Sequence, residues 1–245
     1  MATKAVIMLI DNSSPTINGD FYPSRIEAQK VAVDRLSQHY LDLNLNSQIA
    51  IATIGSDEFG IRSSFTSSKE KLEQALQNIS TGGKILIEKG VRSAFLSLNH
   101  CGSNVEEKHI IIFIGSIHDL TKEKAQKLNR EANQKQIILD VVVFGLDPND
   151  IPILKLLYNH EKGSFVHIPT SPTILSDSVL SSKLGFGQRP TRIALKNVDT
   201  IESPRVKKKT TRHRAKTKTV TDVYKHFDEN STDRTIFYPK KGNSD

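Results

Sequence analysis

Short apolar runs alternate with amphipathic stretches along this chain, and that alternation leaves few folds open to it. Ala5–Ile10 (AVIMLI), Ile49–Ile54 (IAIATI), His109–Ile114 (HIIIFI) and Ile137–Phe144 (IILDVVVF) are almost continuously apolar, as strands buried on both faces require. Gly60–Phe65 is placed to pair beside the second strand after a turn through Ser56–Phe59, and Phe165–Ile168 reads as a short last strand. Between them, Ser24–Tyr40 carries Ile26, Val31, Ala32, Leu36 and Tyr40 at helical spacing, with Pro23 and Ser24 as the start signal. Ser67–Gln77 follows with Ser67 or Ser68 as cap. After the break at Gly82-Gly83 comes Ile85–Leu98, apolar at Ile87, Val91, Ala94, Phe95 and Leu98. Thr121–Gln134 has a Thr cap with Glu123 nearby; Asp150–Tyr158 and Pro172–Leu180 are the last two predicted helices. Strands and helices alternating at this spacing predict an α/β, doubly wound, mostly parallel sheet with helices on both faces. In such sheets function collects in loops at the carboxyl ends of the strands, here Asp11–Asp20, Gly115–Asp119 and Gly145–Asp150.

The pattern stops after Gly185-Phe186-Gly187, and the charge changes there too. Residues 189–245 hold 15 Lys/Arg against 7 Asp/Glu, a net of +8, whereas residues 1–188 hold 19 against 20, a net of −1. The expected organisation is therefore a folded domain over 1–187 and a basic tail over 188–245, too polar to bury a core and disordered on its own. Cys101 is the only cysteine, which excludes an internal disulfide and a cysteine zinc cluster and fits a reducing compartment, cytoplasm or nucleus. The apolar start ends at Asp11, too short for a membrane span and without a signal-peptide cleavage pattern, so no membrane association is expected. The eight histidines show no HExxH spacing, Ser13 lacks a G-x-S-x-G context, and Gly82-Gly83-Lys84 lacks the spacing of a phosphate loop. These absences point away from an enzyme, and no cofactor is expected.

Asp11-Asn12-Ser13-Ser14-Pro15 stands where the first strand ends. An Asp-x-Ser-x-Ser there is the first part of a metal-ion-dependent adhesion site, in which one carboxylate and two hydroxyls hold Mg²⁺ together with a Thr and a second Asp from two further loops. In this chain only Asp11 and Ser13 survive. Pro15 occupies the third position, Lys89 or a neighbour falls at the Thr, and Ser116 falls at the second Asp, so no metal is expected. Asp11 then has three readings: a loop cap accepting backbone amides, a salt bridge with Lys89, or a contact to a partner protein.

Ile10-Asp11-Asn12-Ser13, Asn18-Gly19-Asp20-Phe21, Pro23-Ser24-Arg25 and Ala28-Gln29 resemble the opening of the proteasome regulatory-particle subunit family that serves as a ubiquitin receptor, built on a von Willebrand factor A-type domain. The resemblance continues through Gly83-Lys84-Ile85, Gly90-Val91-Arg92, Phe113-Ile114-Gly115-Ser116 and Phe144-Gly145, and closes at Pro172–Ser182, covering roughly residues 4–187. It implies a structural subunit without catalytic activity, stabilising lid–base association, with lid and base subunits as partners, ubiquitinated proteins as indirect ones, and a place in ubiquitin-dependent degradation. Asp11, Ser13, Asn18, Asp20, Phe21 and Arg25 are its candidate interaction residues. That family captures ubiquitin with acidic, Leu/Ala-rich helices beyond the A-type domain. The tail here has none, which counts against the receptor role.

The run Lys207, Lys208, Lys209, Arg212, Arg214 reads as a solvated tail, a nuclear-import signal, or a contact to RNA or an acidic protein. It is the one feature that favours an alternative, an A-type scaffold subunit of a nuclear DNA-repair or transcription complex. Nucleic acid is otherwise not an expected partner.

Overall fold

The computed structural model describes residues 2–102, 104–158, 162–169 and 175–185. The elements run β1 (Lys4–Ile10), a 3-10 turn (Ser14–Ile17), α1 (Arg25–Leu43), β2 (Gln48–Thr53), β3 (Gly60–Thr66), α2 (Lys69–Gln77), α3 (Ile87–Asn99), β4 (Glu107–Ile114), α4 (Lys122–Gln134), β5 (Ile137–Phe144), α5 (Ile151–Leu154), β6 (Phe165–Ile168), α6 (Leu175–Ser181) and a second 3-10 turn (Lys183–Gly185). All lie within a compact unit spanning Met1–Arg192. The predicted basic tail, with Lys207, Lys208, Lys209, Arg212 and Arg214, lies outside the described residues.

The six strands form one sheet in the order β3-β2-β1-β4-β5-β6. β1 takes the centre because its AVIMLI run has nothing polar to expose. It pairs in parallel with β2 on one side and β4 on the other. Only β3 runs antiparallel, at the edge. The strand residues alternate between two cores. Val6, Met8, Ile10, Phe113 and Phe144 pack under α1, α2 and α6, while Ala5, Ile7, Leu9, Ile112 and Val143 pack under α3 and α4. Each fully buried aromatic or branched side chain contributes roughly 1.5–3 kcal/mol. Gly90 sets how closely α3 approaches the sheet, because a Cβ there would lie 2.5 Å from Ile54 Cγ2.

Ser24, Ser68 and Thr121 each accept a hydrogen bond from the amide three residues on, so the predicted caps of α1, α2 and α4 are the observed ones. Two helices differ. α3 starts at Ile87 rather than Ile85, because Ile85 bridges Gly55 in antiparallel fashion and the Leu86 amide bonds to Ile54 O. α5 closes after Leu154, and the rest of its predicted span is turn. The predicted start of the last helix, Pro172, lies outside the described residues. Among the described residues no helix is long and apolar enough to cross a membrane.

Candidate functional site

At the carboxyl end of the sheet β1 delivers Asp11 into a fully buried position. Its Oδ1 accepts from the Ser13 amide at 3.0 Å and the Ser13 hydroxyl at 2.5 Å, and its Oδ2 accepts from the Gly115 amide at 3.0 Å. Ser116 Oγ lies 2.8 Å from Ser13 Oγ. A hydroxyl has one proton, and Ser13 gives its own to Asp11, so Ser116 is the donor of that bond. Asp11, Ser13 and Ser116, drawn from two loops far apart in sequence, do come together.

Two buried amides tie the cluster down. Gln29, on α1, pairs with the Asp11 backbone: its Oε1 accepts from Asp11 N at 3.1 Å and its Nε2 donates to Asp11 O at 2.9 Å. Asn12 reaches the other way, accepting from Gly55 N at 2.6 Å and donating to Ser80 O at 2.9 Å. Gly82 N then bonds to Asn12 O and Ser14 N to Gly83 O. Gly83 adopts φ 68°, and a Cβ there would collide with Ser56 and Asp57, so only glycine lets this loop close on the first.

Arg25 adds a second lock. Its Nε and Nη2 grip the Asp20 carboxylate at 2.7 and 2.6 Å, and its Nη1 donates to Gly115 O. The guanidinium lies where a Cβ on Gly145 (φ 62°) would stand, so one side chain spans the loops after β1, β4 and β5. The bidentate bond to Arg25 holds the Asp20 carboxyl below the usual carboxylate range. Around this closed cluster, three large apolar side chains on the same loops face solvent: Ile17 (68 % exposed), Tyr22 (93 %) and Ile117 (81 %).

The oxygens present do not fit a bound Mg²⁺. Both Asp11 oxygens are occupied by protein donors, Pro15 is exposed on the first 3-10 turn and offers no oxygen, and Ser116 replaces a carboxylate.

Several expectations change. Lys89 forms no salt bridge with Asp11; its ammonium lies over the Phe59 ring, 4.3 Å from the centroid. The second loop reaches the first through Gly82 and Gly83 instead. Asp11 and Ser13 are buried, so their own side chains are not an outward contact, and the hydrogen bonds are those of a loop cap. Phe21 is also buried, its ring edge-on to Phe144 at 5.4 Å. Asn18 is exposed, and Asp20 and Arg25 are partly so. The residues that the sequence left without a role are Asn12 and Gln29. Their signal was an amide next to the motif and one on the buried face of α1.

This geometry agrees with comparisons to known proteins. The von Willebrand factor type A domain family matches residues 6–118. The 26S proteasome non-ATPase regulatory subunit 4 of Dictyostelium discoideum is 30 % identical over 195 residues, covering 77 % of this chain and 56 % of that protein. The 26S proteasome regulatory subunit rpn10 of Schizosaccharomyces pombe is 27 % identical over 190 residues, covering 76 % of this chain and 78 % of that one. The crystal structure of the SpRpn10 VWA domain superposes with a TM-score of 0.69 at 25 % identity, over 75 % of this chain and 97 % of that domain. The chain thus spans little more than half the length of the first relative and over three quarters of the second. These relatives favour the proteasome reading over the nucleic-acid one. Residues 6–118 thus carry a von Willebrand factor type A domain, and over about three quarters of its length the chain is homologous to 26S proteasome regulatory subunits.

Proposed function

We propose that this protein is a non-catalytic structural subunit of the proteasome regulatory particle, that its A-type domain over residues 1–187 stabilises the association of lid and base, and that residues 188–245 form an accessory tail. The observation that carries the reading is the closed loop cluster at the carboxyl end of the sheet. Where a metal-dependent relative would present an open coordination shell, Asp11, Ser13 and Ser116 bond to one another and to backbone, and Arg25 braces three loops. What remains outward is Asn18, the Asp20–Arg25 pair and the apolar Ile17, Tyr22 and Ile117, a surface suited to protein contact rather than catalysis. Ubiquitinated proteins are indirect partners in this reading, and the subunit works in cytoplasm and nucleus.

Affinity purification of the tagged full chain followed by mass spectrometry and native gels tests it. Lid and base subunits should co-purify, and Tyr22→Ser with Ile117→Ser should reduce their recovery without lowering the melting temperature. Recovery of DNA-repair or transcription subunits instead would overturn the proposal.

A further inference from the structure

The opposite, amino-terminal end of the sheet holds a cavity of about 480 Å³ between the starts of β1, β4 and β5, the end of α1 and the second 3-10 turn. Its polar floor is built rather than incidental. Asp140, on the α1 face of β5, is 2 % exposed; it accepts from the Ser164 amide at 2.7 Å and lies 3.4 Å from His109 Nδ1. The other ring nitrogen of His109 lies 3.3 Å from Glu107, which in turn pairs with Lys4 at 2.9 Å. A buried relay of this kind is no economical way to stabilise a sheet face, since apolar residues of similar volume serve as well or better.

The charges in the lining are unequally spent. Asp140 and Glu107 are both engaged, the latter held below the usual carboxylate range by Lys4; Glu106 lines the cavity too, exposed and without an ion pair among the described residues, and offsets one of the lysines that follow. Lys108, Lys162 and Lys183 come from three separate segments, line the same cavity, and make no ion pair among the described residues; Lys183 reaches only the Lys162 carbonyl, at 3.5 Å. Beside them the wall is apolar, formed by Tyr40, Ile138 and Leu184. Three unspent ammonium groups around an apolar wall fit a carboxylate next to a hydrophobic side chain.

We propose that this cavity receives an acidic peptide segment of a neighbouring protein, one carboxylate among Lys108, Lys162 and Lys183 and an adjacent aromatic or aliphatic side chain against Tyr40, Ile138 and Leu184. The volume accommodates one or two side chains, at the small end of ligand cavities. The site lies at the other end of the sheet from the surface proposed for particle docking and does not depend on it.

The test uses the full chain and a fluorescein-labelled peptide of alternating Asp and Glu with one central Phe. Anisotropy gives the affinity, and the His109 ring resonances report the place of binding. Wild type should bind saturably and shift the His109 signals. Lys108→Glu with Lys183→Glu should weaken binding by about tenfold or more, and Lys162→Glu alone by a smaller factor. Raising ionic strength from about 0.05 to about 0.3 M should lower affinity severalfold. Equal binding by wild type and the charge-reversed chain would place the contact on the basic tail and overturn the proposal. So would inorganic phosphate that reproduces the His109 shifts and displaces the peptide, since the site would then take a free anion.

Discussion

Two buried aspartates stand at opposite ends of this sheet, and their surroundings differ in kind. Asp11, at the carboxyl end, is held by two backbone amides and a serine hydroxyl, with no cationic side chain bonded to it. Asp140, at the amino end, accepts from one backbone amide, lies beside the His109 ring, and faces a cavity lined by lysines. A buried carboxylate is costly until its oxygens are satisfied, and there are two ways to satisfy it. Fixed backbone donors close the site and leave nothing to exchange. A side-chain relay leaves the site able to respond to what enters. The first end is thus finished within the chain, and the second is completed by a ligand.

Removing the fixed donors' acceptor should produce the largest effect. Asp11→Ala strands the Gly115 and Ser13 amides in a dry site at about 1–3 kcal/mol each, so the chain should lose roughly 3 kcal/mol in urea denaturation. The loss should appear in folding as well as in assembly. A variant that unfolds like the parent would remove the contrast between the two ends.

Wedging the Arg25 lock comes next. Gly145→Val places a Cβ within 2.7 Å of the guanidinium at a positive φ and should cost about 2 kcal/mol. The His109 ring signals at the far end should stay unchanged; a shift there would show that the two ends are coupled.

Asparagine sharpens the comparison further. At Asp11 both oxygens accept from different donors, so Asp11→Asn must orphan one of them and cost about 1–3 kcal/mol. At Asp140 one oxygen takes the Ser164 amide, and an asparagine carbonyl can do the same. Asp140→Asn should cost under about 1 kcal/mol by the same measurement. Equal losses would mean that the histidine relay is as rigid a requirement as the backbone donors.

The smallest effect is the pH response. Asp20 and Glu107 are each held below their ordinary range, by Arg25 and Lys4 respectively, so the folded state binds fewer protons than the unfolded one. Their stabilisation is complete above the ordinary carboxylate range, fades as pH falls below about 4, and is lost once the folded groups protonate. The Lys4–Glu107 pair is the more exposed, so salt should erase its share first. Melting temperatures of Asp20→Asn and Glu107→Gln across acidic pH, at low and high salt, would show the order.

The frame of the fold was readable because it is local. Apolar runs gave the strands, and Ser24, Ser68 and Thr121 gave the helix starts. Asp11, Ser13 and Ser116 were readable as one cluster because each follows the end of a central strand. Lys89 was misplaced because counting forward from Gly82-Gly83 assumes an ordinary loop. The bridge from Gly55 to Ile85 uses up chain before α3 begins, and Lys89 is carried onto the Phe59 ring. Gln29 and Asn12 bond to partners 18 to 68 residues away, which periodicity does not encode. Asp140 hid inside a run that reads as a buried strand, and nothing local announces that His109 stands beside it.

Arg25 also bears on the order of folding. Its partner Asp20 is five residues away, but Gly115 O is 90 residues on and Gly145 is farther still. Contacts across such separations form only after the intervening chain has closed, which is slow and late. A chain still emerging from synthesis, or one in which β5 has not yet joined β4, can hold Asp20 but has no loops to brace. The carboxyl-end surface therefore exists only on a finished sheet. Under the docking proposed above, one arginine would make assembly conditional on the whole domain and would leave incompletely folded chains outside.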